Sequence, residues 1–109
     1  MDLGVSEMME YQAKLQAKYF ELWGGLNPAV ARDKLLWSII EAGEAADIIK
    51  KRGDEAILHD DEAREHFAEE IGDTIKYLMD VLICYGFSAE EFAEVYRKKA
   101  ERNLNRWAK

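Results

Sequence analysis

Apolar residues along this chain recur at helical rather than strand spacing, and four segments carry the pattern. From about Ser6 to Leu22, Met9, Leu15, Ala17, Phe20 and Leu22 return at roughly helical intervals, with Ser6 placed as N-cap and Gly24-Gly25 as the stop. Asn27-Pro28 reads as an N-cap followed by a proline in the first turn, where its missing N–H costs nothing. The second helix then runs to about Arg52 and stops at Gly53, and Asp54 to Asp60 reads as a connector. Asp60 or Asp61 opens a third helix that ends at Gly86. Ser88-Ala89-Glu90-Glu91 has the capping-box form and opens a fourth, reaching about Arg106. No stretch alternates with the two-residue period of a strand, and no internal repeat is present. The pattern predicts an all-α protein of four main helices in one domain, residues 1–109.

The second helix is apolar on more than one side. On a helical wheel Leu35, Ile39, Ala42, Ala46 and Ile49 form one stripe, while Trp37 and Ile48 fall almost opposite. A helix of this kind is covered on both sides. In so short a chain the second cover is expected from another subunit as well as from its own fold, so a helical bundle completed by oligomerisation is predicted.

Composition narrows the function. With 109 residues, 49% of them hydrophobic, the chain has material for one core, and no apolar run approaches the ~18 residues of a membrane span. The net charge of −7 argues against a grip on nucleic-acid polymers, which need a basic surface. Small or cation-bridged partners fit better. The single cysteine, Cys84, has no internal disulfide partner, and Met1-Asp2-Leu3-Gly4 lacks the pattern of a signal peptide, so a cytoplasmic setting is expected. The charge is unevenly spread: residues 54–73 net −8, whereas residues 97–109, from Arg97 to Lys109, net +5. Solvated faces, and basic residues favoured at a helix C-terminus, account for most of these charges.

Six pairs of acids stand three residues apart, so spacing alone carries no information. Surroundings distinguish two of them. Glu41 and Glu44 lie within about 40° of Trp37 and interrupt the apolar stretch from Ile39 to Ala46. Glu70 and Asp73 align with Tyr77, Val81 and Cys84, beside the stripe Phe67, Ile71, Ile75, Leu78 and Leu82; Glu69, Lys76 and Asp80 are placed on the wet side. Grouping half-buried carboxylates is costly, because each loses hydration and repels the others. Lys34, Arg64 and Lys76 are the neighbouring cations, too few to balance them. A hard divalent metal such as Mg²⁺ would do so with oxygen ligands, and a structural polar network is the other reading. Di-iron chemistry lacks its Glu-x-x-His motif, zinc lacks soft ligands, and neither Gly-rich phosphate loop is present. His59 and His66 read as exposed or capping residues and Cys84 as a small core residue.

Glu41-Ala-Gly-Glu44, then Glu69-Glu70-Ile-Gly-Asp73 followed by Tyr77-Leu78, resembles the signature of the MazG-like, all-α nucleoside triphosphate pyrophosphohydrolases. Lys99-Ala-Glu-Arg-Asn103-Leu-Asn-Arg106 is similar to the element that family uses near substrate phosphates, and the resemblance spans about Leu35 to Arg106. It implies Mg²⁺ held by Glu41, Glu44, Glu70 and Asp73, and cleavage of a nucleoside triphosphate to monophosphate and pyrophosphate. It also implies Lys99, Asn103 and Arg106 at the outer phosphates, and a homodimer or homotetramer. Members often carry two adjacent glutamates at the first motif. Here Ile40 precedes Glu41, which would then serve as both ligand and positioner of water. Trp23, Trp37 and Tyr77 are candidates to stack on a base, or are simply core. dCTP, dUTP and phosphoribosyl-ATP stay open as substrates, and the alternative from another class is a catalytically silent dimeric interaction module of the same fold.

Overall fold

A computed structural model describes residues 1–107; Ala108 and Lys109, the last of the predicted basic residues, lie outside them. Six helices follow in order: α1 (Val5–Lys18), α2 (Phe20–Trp23), α3 (Pro28–Arg52), α4 (Asp54–His59), α5 (Asp61–Cys84) and α6 (Ala89–Asn105). No strand occurs among the described residues, so the protein is all-α. No helix is long and apolar enough to cross a membrane.

Local chemistry sets most of the boundaries. Asn27 Oδ1 accepts from the Ala29 amide at 2.9 Å, Asp60 Oδ2 from Ala63 at 3.0 Å and Ser88 Oγ from Glu91 at 3.0 Å, so three predicted caps are made. The first helix differs: it begins at Val5, and Glu7 Oε1 reaches back to accept from the Gly4 amide at 3.2 Å, which leaves Ser6 inside the first turn. That helix also breaks at Tyr19 (φ −108°, ψ 22°), and the chain restarts as the single turn α2. At Gly25 φ is +80°, and a Cβ would stand 2.8 Å from the Phe20 ring, so only glycine fits the turn into α3. The expected connector after Gly53 is itself helical, with Asp54 and Glu55 favourably placed at its N-terminal end, and Arg52 Nη2 reaches Asp60 Oδ2 across it at 3.3 Å.

α3 and α5 form a long antiparallel hairpin, which is the main packing of the molecule; α1 lies against α5, and α6 against α1. The core is small: Met9, Ala31, Ala45, Ile48, Ala63, Met79 and Cys84 are its buried apolar residues. Ala31, Ser38, Ala45 and Ile48 turn the inner face of α3 toward this core. The stripe that adjoins this face is uncovered among the described residues, with Leu35 45%, Ile39 62% and Ile49 44% exposed. The radius of gyration is 16.5 Å, against about 13 Å for a compact domain of this length.

Candidate functional site

Antiparallel pairing brings facing residues of α3 and α5 to common levels. Glu41, Glu44 and Glu70 meet at one of them, each offering a carboxylate oxygen within 4.8 Å of the others. Glu41 and Glu70 are half-buried, but Glu44, whose place in an apolar stretch predicts partial burial, is exposed, because that side of α3 has no helix packed on it among the described residues. Asp73 lies one turn along α5 from Glu70 and close enough to act on Glu41, with Oδ1 turned toward Lys76 Nζ at 3.7 Å. Three of the four expected ligands therefore converge, and the fourth borders them.

The electrostatics are those of crowded like charges. The Glu41 carboxyl is pushed up to about 7, first by a hydrogen bond to Glu70, then by lost hydration, then by the negative charges of Glu44, Glu70 and Asp73. Such a bond needs a proton, which the Glu41 carboxyl keeps to higher pH than an ordinary carboxyl does. Glu70 Oε1 faces His66 Nε2 at 3.5 Å, but its Oε2 is buried without a donor. A proton held between Glu41 and Glu70 would satisfy that oxygen, and so would a cation. Hard oxygen donors, one of them orphaned, suit Mg²⁺ or a similar divalent ion.

A cavity of 580 Å³ opens beside the acids, with Glu41 and Asp73 on its wall. Trp37 and Tyr77 meet edge to face on its wall, ring centres 5.8 Å apart, and Lys34 Nζ sits 4.8 Å from the Trp37 ring and 5.8 Å from that of Tyr77. Trp23 borders the same cavity. Burial raises the Tyr77 hydroxyl above its ordinary range, and the charges of Glu41, Asp80 and Asp73 add to it.

Asp80 corrects the sequence reading. It was expected on the wet side of its helix, yet it is 2% exposed and accepts from Gln12 Nε2 at 2.9 Å. Burial holds its carboxyl above the usual range, against the opposing effects of Gln12 and Lys34. The partner stands 68 residues earlier, on α1, which covers that side of α5. Glu69 and Lys76 are exposed as expected, as are His59 and His66, and Cys84 is buried.

Lys99, Asn103 and Arg106 are exposed on or just after α6 and do not border the cavity. α6 packs on α1 and on no other described helix, so the single chain does not bring these three to the acids. The cations on the cavity wall are Lys34 and Lys76 instead. Comparison with protein-family models, with curated proteins and with solved structures finds no match for this chain.

Proposed function

We propose that this protein is a MazG-like hydrolase that splits a nucleoside triphosphate into monophosphate and pyrophosphate with Mg²⁺. The observation that carries the reading is the convergence of Glu41, Glu44 and Glu70, with Asp73 adjoining, at the mouth of an aromatic, cation-bearing cavity. These four carboxylates would hold the cation, which supplies neutralisation of phosphate charge and a more acidic attacking water. Glu41, once its proton has left, accepts a hydrogen bond from that water and aims it. Lys76, already beside Asp73, offsets charge on the phosphates, while Trp37 and Tyr77 form apolar walls for the nucleoside.

The working unit is proposed to be a homodimer or homotetramer. A monomer of 12.6 kDa exposes about 6,200 Å², whereas this chain exposes 8464 Å². The excess of about 2,300 Å² is well above the ~800 Å² per partner of a standard interface. Its apolar part includes Leu36, Ile39 and Ile40 of α3 with Ile71 and Leu78 of α5. In such an assembly Lys99, Asn103 and Arg106 of a second copy are the proposed further partners of the outer phosphates.

The test is a screen of nucleoside triphosphates with Mg²⁺ that measures pyrophosphate and orthophosphate separately. Pyrophosphate with monophosphate is expected. Release of orthophosphate, or no turnover across a broad panel, sinks the reading and leaves the silent module in its place.

A further inference from the structure

The cavity has a second polar end that the proposed hydrolysis does not use. Three successive levels run along the α3–α5 hairpin: Glu41 with Asp73, Trp37 with Tyr77, and Lys34 with Asp80. Asp73 and Asp80 are seven residues apart, two turns and about 10.5 Å along one helix face. A nucleotide with its phosphates at the acids and its ring laid along the wall that Trp37 and Tyr77 form would bring its base edge to Asp80.

That end is rich in acceptors. Asp80 borders the cavity while nearly fully buried, and its Oδ1 is already engaged by Gln12. Only the amide nitrogen of Gln12 can donate to a carboxylate, so Gln12 Oε1 is fixed as a further acceptor. Gln16, one turn along α1 and 7% exposed, borders the same cavity, and its Oε1 has no donor. Buried acceptors without donors are costly, and a ligand that supplies N–H groups removes the cost.

We propose that this inner end reads a nucleobase by its exocyclic amino group, with Asp80 as the specificity-determining acceptor and Gln12 and Gln16 beside it. Cytosine and adenine carry two N–H bonds on that group, whereas uracil and thymine present a carbonyl oxygen there. The carbonyl lone pairs would face carboxylate and amide oxygens. Guanine best pairs its adjacent N–H groups with both oxygens of one carboxylate, but Gln12 occupies one of them. Lys34, at the level of Asp80, supplies a donor for the ring nitrogen or carbonyl that flanks the amino group. The orientation of the ligand rests on the proposed triphosphate site at the acidic end.

The experiment compares binding of dCMP and dUMP to the intact protein in Mg²⁺ by calorimetry. The two ligands differ at ring position 4, amino against oxo, and at the adjoining N3, a bare acceptor in dCMP and an N–H in dUMP, and neither can release pyrophosphate. The expected result is a preference for dCMP of about tenfold or more. Asp80→Asn, which keeps an oxygen for Gln12 and turns an N–H₂ toward the base, should lose or invert that preference while circular dichroism is unchanged. Equal binding, preference for dUMP, or no binding of either by the unmodified protein overturns the proposal without any variant. Triphosphate turnover is measured alongside. Turnover without an amino preference removes the base reading and spares the hydrolase, and preference without turnover does the reverse.

Discussion

Protons and Mg²⁺ should compete for the Glu41–Glu70 pair, and the competition has a calculable size. Without metal the Glu41 carboxyl titrates at about 7, against an ordinary 4.5. A folded-state value raised in this way contributes stability that is fully present below about pH 4.5 and lost as pH rises through about 7. The metal-free protein should therefore melt at a lower temperature near pH 8 than near pH 5. A cation that needs both carboxylates ionised must displace the proton, so the apparent dissociation constant scales as one plus 10 raised to the power of 7 minus the pH. From about pH 8 to about pH 6 that factor grows about tenfold, and close to one proton is released per cation at the lower pH. Calorimetry in two buffers of different ionisation enthalpy measures both quantities. His66, 3.5 Å from Glu70 Oε1, also faces the pair, so the same titration on His66→Gln isolates the glutamates; the dependence should persist. A Mg²⁺ affinity that is flat over this range, with no proton release, refutes a proton held at the site.

Glu70→Gln should stabilise the metal-free protein near neutral pH by about 1 kcal/mol, or ~4–8 °C, because an orphaned buried carboxylate oxygen is replaced. The same variant should lose the Mg²⁺-induced rise in melting temperature; an unchanged rise removes Glu70 from the site. Ile39→Asp, on the uncovered stripe of α3, should leave helicity intact but shift sedimentation from oligomer toward monomer, and a monomeric parent protein at micromolar concentration would remove the assembly. Asp80→Asn should raise the melting temperature without ligand, since the neutral form of Asp80 is favoured by burial. That gain should be smallest at acid pH and grow as pH rises, and melting curves at several pH values that lack this trend count against it.

What could be read from the sequence was what depends on near neighbours. Asn27, Asp60 and Ser88 cap their helices through side chains that reach two or three residues ahead, so the local pattern suffices. The break at Tyr19 has no glycine or proline of its own to announce it, and the start at Val5 depends on Glu7 reaching back to a glycine amide. Glu41 and Glu44 stood out because they interrupt an apolar stretch, and Glu70 and Asp73 because they align with Tyr77, Val81 and Cys84. Asp80 did not, because its burial comes from α1, which a wheel drawn for one helix cannot include. Likewise both apolar sides of α3 were evident, but which of them faces α5 is decided by the small residues Ala31, Ser38 and Ala45, not by the larger Leu35 and Ile39.

Those small residues also link the site to the uncovered faces. Ala45 lies one residue from Glu44 and four from Glu41, and a small buried side chain at that point leaves α3 and α5 free to pack closely beside the acids. Close approach forces the carboxylates together, which they oppose once ionised. Among the described residues the stripe Leu35, Ile39 and Ile49 of α3 is left uncovered, so the single chain adds no packing there to oppose that repulsion. A second copy packed on Leu35, Ile39 and Ile49 would press α3 onto α5 from outside and hold the acids at coordinating distance. In the proposed assembly, oligomer formation and cation binding therefore favour the same close pairing of α3 and α5, and by linkage each strengthens the other.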